Sequence, residues 1–153
     1  MKKREPIAIL QSLKEIMKRY DMYTRFLNYP GDWGERAFRG WLVFEIFHEK
    51  LGWPIENIVF GERYDVLFVD NHIKPVIYLE TKKPGRGLAE LEQFKARISM
   101  YQTLEHAVIA NGKQWLRIDV AIKNETLVNL FDSEATWRTF TENLLAKNHL
   151  YGV

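Results

Sequence analysis

The chain has 153 residues, 46% hydrophobic and 14% aromatic, enough to bury a core in a single domain spanning residues 1–153. Its 22 basic and 20 acidic residues are intermixed and leave a net charge of +2, so any phosphate-binding patch must be local rather than a charged tail. With no cysteine there is no disulfide, thiolate nucleophile or Cys-ligated metal, and without an apolar run of roughly 18 residues the expectation is a cytoplasmic protein with no membrane partner.

Residues 5 to 27 carry Ile9, Leu13, Ile16, Met17 and Tyr20 at helical spacing, and "NYPGDWGE" ends that pattern. A second helix is predicted from about residue 33 to 51, with Asp32 as N-cap, Phe38, Leu42 and Ile46 on its apolar side, and Gly52 as its stop. "NIVFGE", "YDVLFV" and "PVIYLETK" read as three strands rich in Val, Ile, Phe and Tyr. Helical spacing returns in "GLAELEQFKARISMYQTL" through Leu91, Phe94, Ile98 and Tyr101. "HAVIA" and "QWLRIDVAI" then flank Asn111-Gly112, a dipeptide suited to a type I′ turn, and "TLVNLF" is placed to pair beside them. A last helix is expected from near Ser133 to about Lys147. This order predicts an α/β fold with a central mixed β-sheet flanked by helices. Neither a G-x-x-x-x-G-K-[ST] loop nor a G-x-G-x-x-G turn is present, so nothing argues for a nucleotide motor or a dinucleotide cofactor.

The chemistry concentrates where the strand "PVIYLETKKP" turns from apolar to charged. Alternation along a strand puts Tyr78, Glu80 and Lys82 on one face. The preceding strand holds one acid, Asp65, in an apolar run where an unpaired carboxylate is costly to desolvate. If "VDNHIKP" closes an antiparallel hairpin centred between His72 and Ile73, Asp65 falls opposite Glu80. Opposed side chains have Cβ atoms about 5 Å apart, and two carboxylates that close repel unless a cation sits between them. Hard oxygen ligands suit Mg²⁺ or Mn²⁺, and an ammonium such as that of Lys82 beside the ion would orient a water and offset developing charge. Those are the parts that phosphodiester hydrolysis needs.

Asp65, a spacer of fourteen residues and then Glu80-Thr81-Lys82 resembles the PD-(D/E)xK nuclease signature, and the surroundings are most similar to the N-terminal nuclease domain of type I restriction enzyme R subunits. The likeness runs over roughly residues 33 to 118 through "GERAFRGWLVFEIFHEKLGW", "ERYDVLF", "VIYLETKKP", "ELEQFKARISMY" and "VIANGKQW". The resemblance implies a restriction-endonuclease-like core and a metal-dependent endodeoxyribonuclease acting on DNA. Asp65, Glu80 and the backbone carbonyl of Thr81 would be ligands of Mg²⁺ or Mn²⁺, Lys82 the catalytic lysine, Glu35 a helix acid near the metal, and Gln93 a polar residue facing the site. A homodimer, or other subunits of a restriction or DNA-processing system, would be natural partners. Two positions depart from the pattern: Tyr64 stands where the signature usually has Pro, and Arg97 stands four residues after Gln93 where related nucleases often have Tyr.

Each residue also has a plainer reading. An E-x-K triplet alone is usually a solvated strand end, and only its combination with Asp65 in matching register gives it weight. Asp32-x-x-Glu35 also matches a helix capping box. Gln93 lies beside the Leu91/Phe94/Ile98 face and would serve equally as a solvated position. Lys83, Arg86, Lys95 and Arg97 cluster in sequence near the candidate site and would suit DNA phosphates, although such runs are commonly just soluble surface. The five tryptophans are more often core than base-stacking platforms, and the four histidines have no metal-ligand spacing. The alternative function is a catalytically silent nucleic-acid-binding or partner-docking domain in which Glu80 and Lys82 are an ion pair.

Overall fold

Residues 8–27, 33–61, 65–84 and 91–151 are described by the computed structural model. Strands β1 (Ile58–Phe60), β2 (Asp65–Val69), β3 (Pro75–Thr81), β4 (His106–Ala110), β5 (Gln114–Asp119) and β6 (Asn124–Asn129) lie side by side in chain order as one open sheet. Neighbours are antiparallel except β3 and β4, which run parallel. A parallel pair requires a crossover, and the crossover carries helix α3 (Leu91–Ile98). The predicted α/β architecture with a mixed central sheet flanked by helices is the one observed.

The two faces of the sheet are covered differently. Helices α1 (Ile9–Leu27), α2 (Trp33–Trp41) and α4 (Glu134–Glu142) bury Ile9, Leu13, Phe38, Trp137 and Phe140 against one face, on Phe68, Ile77, Leu79, Val108 and Trp115. The other face is smaller, with Tyr78, Ala107, Ile109, Leu116 and Ile118 packed under Phe94 and Ile98 of α3. Alternation makes this division: Tyr78 and Leu79, adjacent in sequence, belong to opposite layers.

The helices begin and end for identifiable reasons. α2 continues as a π-helical stretch, Leu42–His48, whose wider turns are seen in the Leu51 N–H donating to the Ile46 carbonyl at 2.8 Å. Gly52, at φ +83°, then ends it as expected. Ser133 caps α4 by accepting from the Thr136 N–H. The last helix stops at Glu142 instead of reaching Lys147; Leu144 and Leu145 form tight turns and a 3-10 segment, Ala146–Asn148, follows, tied back by the Ala146 N–H on the Leu51 carbonyl at 2.9 Å. At the other end of the fold, Glu134 in the first turn of α4 accepts from the Ile9 and Leu10 N–H groups of α1 at 2.9 and 3.0 Å.

Two turns differ from expectation. The β4–β5 loop has Gly112 and Lys113 at its centre, and only Gly112 has positive φ, at 90°; this is the signature of a II′ turn, not the I′ turn expected with Asn111-Gly112 as the central pair. Asn111 moves out of the centre because its side-chain oxygen accepts from the Lys113 and Gln114 N–H groups. The β2–β3 hairpin is centred on His72, half a residue from the expected position. Asp70 Oδ1 accepts from the His72 and Lys74 N–H groups, Ile73 takes φ 61°, and a bulge with Val76 as the extra residue restores the register.

Candidate active site at the charged end of strand β3

Beyond the bulge, the register is the one deduced from sequence. Phe68 pairs with Ile77, Leu67 with Tyr78, Val66 with Leu79, and Asp65 lies directly opposite Glu80. Both acids stand on the α3 face, where Tyr78 below them closes the small core. Glu80 is 2% exposed and Lys82 only 8% exposed. The Lys82 N–H donates to the Ala110 carbonyl at 2.7 Å, so the chain stays in line with β4 for one residue past the strand and holds Lys82 over the site.

The Glu80 carboxylate is the centre of the arrangement. Its Oε1 accepts from the Tyr78 hydroxyl at 3.0 Å and from the Arg97 guanidinium, which reaches down from the last turn of α3. Its Oε2 is buried without a hydrogen bond, and Lys82 Nζ stands 3.6 Å away, close enough for charge attraction but too far to donate well. Burial, followed by the charge of Glu80, pushes the Tyr78 phenol well above its ordinary range, so the hydroxyl stays a donor. Burial opposes the Arg97 charge, but the field of Glu80 and hydrogen bonds with Tyr78 and Glu80 outweigh it and hold the guanidinium above its ordinary pKa.

Asp65 is positioned by the backbone just ahead of it. The Gly61 N–H donates to the Asp65 carbonyl at 2.9 Å, and the Asp65 carboxylate folds over Gly61 itself. A Cβ at position 61 would stand only 2.6 Å from Oδ2, closer than real Cβ atoms approach oxygen, so the carboxylate occupies space that only glycine leaves open.

Glu35 is buried in the first turn of α2, which packs on β3 from the opposite face; its proposed capping partner Asp32 lies outside the described residues, as do Arg86 and Tyr64. Gln93 is exposed one helical turn before Arg97. Lys83 is exposed just past β3, while Lys95 points toward the far edge of the sheet, where it pairs with Glu125 of β6 at 2.9 Å. Among the described residues, no three His, Asp or Glu side chains gather in an arrangement that could hold a metal ion. The acids that could still face a divalent cation are the opposed pair Asp65 and Glu80, of which Glu80 has one buried oxygen, Oε2, without a hydrogen bond.

Three contacts of the site were not anticipated from the sequence: the Tyr78 hydroxyl on Glu80, Arg97 on Glu80, and Gly61 under the Asp65 carboxylate. Tyr78 was legible from alternation, being two residues before Glu80 on one face. Gly61 and the Arg97 contact depend on how separate elements meet.

No family model matches this chain, and no curated protein matches it. Among solved structures it is similar to a chain in the cryoEM structure of a DrdV–DNA complex, with a TM-score of 0.57 and 14% identity over 89% of this chain. This chain spans only 14% of that one. The fold is shared at that level. Among the described residues, no helix is long and apolar enough to cross a membrane.

Proposed function

We propose that this protein is a metal-dependent endodeoxyribonuclease of the PD-(D/E)xK type, hydrolysing DNA phosphodiester bonds in the cytoplasm. The observation that carries the reading is the register that sets Asp65 opposite Glu80, with Lys82 at the same carboxylate. Asp65 and Glu80, with the Thr81 carbonyl, would hold Mg²⁺ or Mn²⁺, which when bound supplies Lewis-acid charge at the phosphoryl oxygen. The Lys82 ammonium would orient the attacking water and offset negative charge as the water oxygen bonds to phosphorus, losing its proton to solvent, and the bond to the leaving oxygen breaks, that oxygen taking a proton from solvent. Glu35 and Gln93 remain supporting members of the site under this reading, and Lys83 and Arg86 phosphate contacts beside it. The shared fold with a chain solved on DNA supports the choice of substrate. A homodimer or companion subunits of a restriction or DNA-processing system would supply specificity.

The test is cleavage of supercoiled, linear and single-stranded DNA with Mg²⁺, Mn²⁺ or EDTA. Wild type is expected to cut only with metal, and Lys82→Ala to lose about 10²-fold or more of that activity. Activity retained in Lys82→Ala would sink the proposal.

A second reading is favoured by one observation: Glu80 already has Arg97 as a counter-ion. In a catalytically silent nucleic-acid-binding or partner-docking domain, that pairing would be permanent. Mn²⁺ calorimetry separates the two, since a silent domain gives no saturable heat that depends on Asp65 and Glu80.

A further inference from the structure

The Arg97–Glu80 contact has a consequence for how such a site would be loaded. Arg97 sits in the last turn of α3, its guanidinium on Glu80 Oε1, with its side chain 35% exposed while that of Glu80 is 2% exposed. The partners are thus unequal: the carboxylate is fixed inside the sheet, and the cation enters from a helix at the surface. Among the described residues, Lys82 and Arg97 flank Glu80, Lys82 from the end of its own strand and Arg97 from a separate element across the crossover. Arg97 can leave with no change in β3.

We propose that Arg97 is the resident counter-ion of Glu80 and competes with a divalent cation for that carboxylate, so that α3 sets the cation affinity of the site. The inference rests on the nuclease reading above. With the site unloaded, the guanidinium hydrogen-bonds the buried carboxylate that Lys82, at 3.6 Å, compensates by charge alone. With a cation on Glu80, the guanidinium is released toward solvent at the mouth of the site, where its planar fork suits a phosphate.

The experiment is isothermal titration of the purified chain with MnCl₂, comparing wild type, Arg97→Gln, Glu80→Gln and Lys83→Gln. Removing a charged competitor for one hydrogen-bonded carboxylate is expected to tighten Mn²⁺ binding about tenfold in Arg97→Gln. Lys83→Gln deletes the same charge from an exposed neighbour and is expected to stay within about twofold of wild type. An equal gain in Lys83→Gln would reduce the effect to net charge and overturn the proposal. Unchanged or weaker binding in Arg97→Gln, with Glu80→Gln abolishing the heat, would overturn it too while leaving the nuclease site intact. If neither wild type nor Arg97→Gln binds Mn²⁺ through Glu80, the nuclease reading falls and this inference with it. Should Arg97→Gln fail to fold without metal, Arg97→Lys keeps the charge on a shorter, singly pointed group. A two- to threefold tightening there supports competition, and no change overturns it.

Discussion

Where β4 begins, His106, Asp119 and Arg117 form a closed network: His106 Nδ1 lies 2.7 Å from Asp119 Oδ1, Arg117 donates to both Asp119 oxygens, and its remaining arm reaches the Phe140 carbonyl. Where β3 ends, at the other end of the same strand pair and on the other face, two carboxylates stand opposite each other and one buried oxygen has no hydrogen bond. Both ends bury charge. One end supplies a donor for each acceptor, as structural networks must. The other brings like charges together and leaves a buried acceptor unbonded, which costs stability and, under the proposed reading, serves cation binding. A buried carboxylate is therefore informative about function chiefly through what surrounds it.

Substitutions should separate the two ends. Arg117→Ala is expected to have the largest effect on folding, about 3–5 kcal/mol in urea denaturation, because it strands Asp119 and the Phe140 carbonyl in the interior. Cleavage per folded molecule should be unchanged; a selective loss of activity would break the contrast. Gly61→Ala should do the reverse, with about a 10²-fold fall in cleavage from displacing the Asp65 carboxylate and little change in the melting curve. Wild-type activity in that variant would show that Asp65 need not hold its place.

Asp119→Asn is expected to cost about 1–3 kcal/mol and to alter the response to acid. Burial is the largest influence on His106 and draws its pKa below the ordinary 6.5, against the pull of Asp119. The unfolded chain therefore takes up that proton first, and stability is lost as pH falls from about 6.5 toward the folded value. Burial would raise the Asp119 pKa, but hydrogen bonds from His106 and Arg117 outweigh it and hold it below 3.8, so its share is present above that value and lost as pH falls further. Thermal melts across pH should show both stages in wild type and lack the lower one in Asp119→Asn. Asp65→Asn is the smallest effect and the most discriminating in sign: relieving the repulsion with Glu80 should stabilise the fold by up to about 1 kcal/mol while abolishing cleavage. Destabilisation would mean that the two acids already share a structural partner.

Much of this was visible in the residues, and the reason is physical. An acid inside "YDVLFV" and another at the end of "PVIYLE" leave few registers that bury every apolar side chain, because a one-residue slip sends each to the wrong face. That constraint held Asp65 opposite Glu80 even though the turn was placed half a residue off and the bulge at Val76 was not foreseen. Local rules fared worse where a side chain bonded its own backbone: Asn111 left the turn centre that its dipeptide suggested. Contacts between distant elements were not legible at all. Nothing near Arg97 in the chain announces Glu80, and nothing near Gly61 except a close reading of chain spacing would place a carboxylate over it.

The carboxylate of Glu134 on the Ile9 and Leu10 N–H groups joins positions 125 and 124 residues apart. Those N–H groups are orphan donors at the positive end of α1, and their acceptor lies far downstream. During synthesis α1 would emerge before α4 and wait, without this acceptor for its opening turn, until α4 left the ribosome. The earliest helix of the described chain is thus among the last to be locked, and the clasp that closes it is in effect a check that the whole sheet has been made.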